Sequence, residues 1–164
     1  MDRAEFAAAQ WAQEMPDLKT EPMVLLGRLG ETALVIARDR LNPLFESFGL
    51  QPGEFDVLAT LRRSGAPYAL TPTDLYEVAM ISSGSMTNRL DRLEKSGFVE
   101  RRPNPGDKRG TIVGLTETGR AVIETAILSH VDNQAEILKG LSAEEQAQLS
   151  MLLKKLLATQ NSET

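Results

Sequence analysis

Cysteine is absent from this 164-residue sequence, histidine occurs once, and aromatic residues make up only 5% of the chain. The lack of cysteine excludes a disulfide scaffold, a thiol redox sensor and a thiolate-ligated zinc site. Long apolar runs are missing as well. Stretches such as Met23–Leu26 and Thr32–Ala37 fall far short of the roughly 18 residues that a membrane span needs. The opening Met1-Asp2-Arg3-Ala4-Glu5 carries acids where a secretory leader would be basic and then apolar. We therefore expect a soluble, cytoplasmic protein of one domain, or of one domain with helical extensions, and no contact with a membrane. Acid is in excess, with 23 Asp and Glu against 18 Lys and Arg for a net charge of −5, which on its face disfavours a nucleic-acid partner.

Hydrophobic periodicity and caps divide the chain into a series of helices with one interruption. Residues 2–14 are Ala-rich, carry Phe6 and Trp11, and predict a short helix ended by Pro16. Pro22 to Phe48 carries a continuous apolar stripe from Leu25 and Leu26 through Leu34 to Leu44, with Pro43 expected to bend or interrupt it. A helix is predicted from Pro52 to Ser64-Gly65, with Phe55, Leu58 and Leu61 on one face. Thr71-Pro72-Thr73-Asp74 caps a short helix, which leads through Ala79-Met80-Ile81 to a new cap at Ser82 or Ser83 and a further helix stopped by Gly97.

After Gly97 the period changes to short β-prone runs, Phe98–Arg102 and Thr111–Leu115, around a turn-rich segment from Pro103 to Gly110. That pattern predicts a β-hairpin with a long, charged tip. Thr116 then caps a long helix over about 117–139, and Ser142-Ala143-Glu144-Glu145 is a capping box for the last one, which carries Leu149, Leu152, Leu153, Leu156 and Leu157.

A helix, a short helix, a tight turn, a second helix and a basic hairpin form the layout of a winged helix-turn-helix. The expected fold is mainly α with a small β-wing (α+β), flanked by N- and C-terminal dimerisation helices. Three segments are expected: 1–49, 50–116 as the DNA-binding domain, and 117–164. On the candidate recognition helix Met86, Leu90 and Leu93 face inward. The other face and the preceding turn offer Ser83, Ser85, Thr87, Asn88, Arg89 and Arg92, types suited to phosphates and base edges. At the hairpin tip Asp107, Lys108 and Arg109 are the DNA-contacting candidates, with an arginine placed to enter a minor groove. Charge follows the same division: Ser82 to Arg109 holds seven basic and four acidic residues, so this module is +3 and the rest of the chain is −8.

Leu50 to Gly119 resembles the MarR family of bacterial winged-helix repressors. The resemblance rests on Gly97-Phe98-Val99-Glu100-Arg101-Arg102, then Asp107-Lys108-Arg109, then Val113-Gly114-Leu115-Thr116-Glu117-Thr118-Gly119. It implies a homodimer with interlocked terminal helices, bound to operator DNA and released by small anions or phenolic compounds. The apolar terminal helices support a dimer independently, since stripes without an internal partner mark interfaces.

The extra N-terminal segment is similar to that of the urate-responsive subgroup. That resemblance implies a ligand set of Trp11, Asp56, Arg89 and Arg101, binding urate or a related purine. A planar anion suits an aromatic wall and a guanidinium fork. Asp56 and Arg101, opposite in charge, are expected to pair across helix and wing. The alternative ligand is a phenolic or aromatic carboxylate, and a helical interaction protein that binds no DNA is the third reading. No metal-ligand cluster, phosphate loop or nucleophile motif occurs, His130 reads as a lone surface residue, and neither an enzyme nor a cofactor is expected.

Overall fold

Side-chain caps start four of the helices. The structure, a computed structural model, describes residues 1–79 and 86–161, with Lys108, Arg109 and Asn161 described by their backbone alone. Asp2 and Glu5 close a reciprocal capping box on α1 (Arg3–Glu14). The Thr71 hydroxyl accepts from Asp74 N at 3.1 Å to start α5 (Pro72–Val78), and Thr116 accepts from Gly119 N at 2.9 Å to start α7 (Glu117–Leu138). Ser142 and Glu145 exchange bonds at the head of α8 (Ala143–Asn161). Caps of this kind are each worth about 1 kcal/mol.

The chain divides into two compact units, Met1–Pro52 and Gly53–Thr164. The long helix and α8 belong to the second unit.

In the first unit α1 lies along α2 (Glu21–Ile36), tied by ion pairs from Arg28 to Asp2 and Glu5 and from Arg3 to Glu31. The expected interruption at Pro43 takes a specific form. Proline has no N–H to give to a carbonyl one turn back. The backbone passes through a π-helical turn at Ala37–Leu41, closed by the bond from Asn42 N to Ala37 O, before α3 (Asn42–Ser47) resumes with Pro43 in its first turn.

The second unit contains the winged helix. Its helices are α4 (Glu54–Arg63), α5 and α6 (Met86–Lys95), and its strands are β1 (Ala69–Leu70), β2 (Val99–Asn104) and β3 (Asp107–Leu115), hydrogen-bonded in the order β1-β3-β2. The core combines Phe55, Val57, Leu58 and Leu61 of α4 with Leu75, Leu90 and Leu93, the strand residues Val99 and Val113, and Ile123 and Ala126 of α7.

Two features of the fold differ from the sequence expectation. First, α4 starts at Glu54 rather than Pro52, because Gly53 takes φ +82 and cannot continue a right-handed turn. Second, the wing tip is short. The strands extend to Asn104 and from Asp107, leaving Pro105-Gly106 as the turn, where Gly106 N donates to Asn104 Oδ1 at 2.9 Å. Lys108, Arg109 and Gly110 therefore belong to β3, where the register shifts between Asn104↔Asp107 and Pro103↔Thr111. The register leaves these three residues in a bulge rather than at an apex.

The wing is fastened to the long helix at Gly119. A Cβ there would collide with the Phe98 carbonyl, so only glycine lets the first turn of α7 come this close. No helix among the described residues is long and apolar enough to cross a membrane.

Candidate nucleic-acid interface and ligand cleft

The amphipathic pattern of α6 places Leu90 and Leu93 in the core and leaves Thr87, Asn88 and Arg92 exposed. Asn88 and Arg92 are one turn apart and share a face. Ser83 and Ser85 lie outside the described residues, as do the side chains of Lys108 and Arg109. Asp107 is exposed at the start of β3.

Two arginines of α6 rest against the head of α4. Arg92 Nε donates to Glu54 Oε1 at 2.8 Å, and the Glu54 side chain is only 5% exposed. The Arg89 guanidinium lies so close to Gly53 that a Cβ there would stand 2.6 Å from its Nε. Sequence reading singled out neither Gly53 nor Glu54. An acid in a first turn usually faces solvent, and only the fold turns this one inward.

Arg101 is held on the opposite flank of α6. Its guanidinium binds Asp91 at 2.6 Å and also Glu94, whose carboxylate accepts the Arg101 backbone N–H at 3.1 Å. These bonds staple β2 to α6. The pairing of Arg101 with Asp56 expected from charge alone is not the one made, because Asp91 and Glu94 lie directly across from the strand.

Asp56 instead lines an open cleft of about 510 Å³ between α4 and α7, with Phe55, Arg63, Ile127, His130 and Gln134 among its walls. Burial raises the Asp56 pKa above the ordinary carboxylate value, against the lowering charges of His130, Arg63 and Arg89. The His130 pKa is lowered by burial, against the raising charge of Asp56. Its ring stacks obliquely on Phe55 at 4.6 Å between centroids. His130 is thus a cleft residue rather than a lone surface one. The signal was its place on α7, four residues after Ala126 and seven after Ile123, which puts it on the core stripe.

Beside the cleft, Glu124 accepts from Arg62 at 2.7 Å and from Arg120 at 2.9 Å, and both guanidinium groups lie 4.9 Å from the centre of the Tyr68 ring. The two arginines hold the Glu124 carboxyl below its ordinary pKa, Arg120 more strongly. This cluster joins α4, α7 and the lead into β1. Trp11 lies on α1 in the first unit, 42% exposed. No group of metal-ligating side chains occurs among the described residues.

Comparisons with known proteins agree with the winged-helix fold. A model of the MarR family matches residues 48–110. The HTH-type transcriptional regulator PecS of Dickeya dadantii (strain 3937) is 44% identical over 144 residues, covering 88% of this chain and 86% of its own. The multiple antibiotic resistance protein MarR of Escherichia coli (strain K12) is 40% identical over 122 residues, covering 73% of this chain and 83% of its own.

Among solved structures, a cysteine-to-serine mutant of E. coli MarR complexed with operator DNA superposes with a TM-score of 0.71. It is 36% identical, and the match covers 90% of this chain and 97% of that one. Sco3205, a MarR family transcriptional regulator from Streptomyces coelicolor in complex with DNA, gives a TM-score of 0.74 at 26% identity, over 85% and 88% of the two chains.

Proposed function

The chain belongs to the MarR family, and on that premise we propose that it is a homodimeric transcriptional repressor, released from operator DNA by urate or a related purine. The observation that carries the DNA-binding reading is α6, which buries Leu90 and Leu93 and presents Thr87, Asn88 and Arg92 outward within a segment of net charge +3. A helix so presented fits a major groove, with the wing reaching the neighbouring groove. Relatives solved with DNA support the same reading. The dimer reading draws on Leu152 and Leu157 of α8 and Leu25 and Leu26 of α2, all more than half exposed in the single chain.

For the ligand, the supporting observation is Asp56 in its cleft, with Arg89 and Arg63 near enough to act on its charge. A purine anion offers N–H donors to a carboxylate and a delocalised charge to a guanidinium, whereas a phenolic carboxylate would be repelled by Asp56. Trp11, Asp56, Arg89 and Arg101 are the proposed ligand residues. Arg101 acts at one remove, since Asp91 and Glu94 occupy its guanidinium. A ligand that draws Arg89 away from Gly53 disturbs the seat of α6 on α4, and DNA affinity falls with it.

Titrating the protein–operator complex with urate, xanthine and salicylate in parallel tests this reading. Release by the purines at submillimolar concentration is expected. Release by salicylate alone would replace the purine with a phenolic carboxylate.

A further inference from the structure

The head of α4 is unusual in receiving two arginines from one neighbouring helix. Arg89 and Arg92 lie one turn apart on α6 and settle on the consecutive residues Gly53 and Glu54. Helix N-termini repel cations, since their free N–H groups carry a partial positive charge. The acid that offsets this repulsion is Glu54, whose side chain is almost wholly buried yet pairs with an Arg92 side chain that is nearly half exposed.

The bond runs through Nε of Arg92, at 2.8 Å, on the same face of α6 as Asn88. An arginine held at Nε has its outer edge, the end that meets a phosphate, aimed by the acceptor behind it. The geometry points to Glu54 as a positioning residue for DNA binding: from within the protein it aims Arg92 at a backbone phosphate and sets how α6 sits in the groove. This inference rests on the operator-binding reading above and adds to it a residue that touches no DNA.

A purely electrostatic view gives the opposite sign. Removing a negative charge near the DNA face should tighten binding. Positioning predicts that it weakens.

The test measures affinity against salt for a duplex enriched by the wild-type protein from a randomised pool. Glu54→Met fills the buried volume without a charge, so the fold need not suffer. Its affinity is expected to fall about tenfold, and its salt slope by about one, the loss of one phosphate contact. Arg92→Ala should match it, and the double variant should be no worse than Arg92→Ala alone. Glu54→Gln keeps an acceptor for Nε and should restore most of the affinity.

Arg92→Lys, which keeps the charge but not the planar fork, should lose affinity without any change at position 54. Binding by Glu54→Met equal to or tighter than wild type overturns the inference, as does a loss that adds to that of Arg92→Ala, or wild-type binding by Arg92→Lys. A wild-type protein that enriches no duplex at all sinks the operator reading itself, and that result is separate because it appears before any variant is compared.

Discussion

Single residues in this chain do work that their types alone do not announce. Gly53 combines φ +82 with the Arg89 guanidinium where a side chain would stand. Gly53→Ala should cost about 1–3 kcal/mol in urea denaturation, the usual range for a non-glycine residue forced into this region. Its operator affinity should fall by more than the stability loss alone accounts for, because Arg89 must also move.

His130 supplies a pH-dependent prediction. Its folded pKa lies below the ordinary 6.5, so the unfolded chain binds more protons in the window just beneath that value. The neutral imidazole is thus part of the stable fold above about pH 6.5, and stability is lost as pH falls through this range. Asp56 acts in the other direction. Its raised pKa adds stability at lower pH, fully present below 3.8 and lost as pH rises through the folded value. Denaturation midpoints followed from about pH 8 to pH 5 should decline in the wild type and decline less in His130→Gln. Equal slopes for the two proteins would count against the burial assigned to this histidine.

At the scale of elements, α6 is held on two flanks, by Glu54 of α4 and by Arg101 of β2. Arg101→Ala should release the wing from α6. Hydrogen exchange along β2 is expected to quicken and operator affinity to drop several-fold, while α4 stays as protected as before.

Helix positions were legible in the sequence because they depend on local signals. Thr71, Thr116 and Ser142 cap as expected, and the spacing of Leu90 and Leu93 shows which face is buried. The features missed are those fixed by the chain's return on itself. β1 is two residues long and exists only because β3 offers it an edge. The wing tip reads as a long loop because Pro103, Asn104 and Gly110 are turn formers, yet pairing with β3 carries the ladder to Asn104. The resemblance singles out Asp56 in the sequence, but its neighbours in the cleft, His130 and Arg63, come from elsewhere in the chain and from the far end of α4.

For the molecule as a whole, a net charge of −5 conceals a +3 segment from Ser82 to Arg109 and a −8 remainder. DNA affinity should fall steeply with salt, and Arg109→Ala should reduce the salt slope by about one while ligand affinity stays unchanged. The exposed leucines of α8 make a matching prediction: Leu153→Glu with Leu157→Glu should yield a monomer by sedimentation, with operator binding lost because two half-sites about 10 bp apart are no longer read together. A dimer that survives the double change would place the interface elsewhere.

The absence of a side chain at residue 119 reaches further than the turn it occupies. With the wing's Phe98 carbonyl pressed into that gap, the first turn of α7 is a fulcrum, and the 19 helical residues beyond Gly119 (120–138) form a lever about 28 Å long. A tilt of about 5° at the fulcrum moves the far end by about 2.5 Å. A small displacement of the wing root would therefore be magnified along this helix, and one at the far end reduced on its way back.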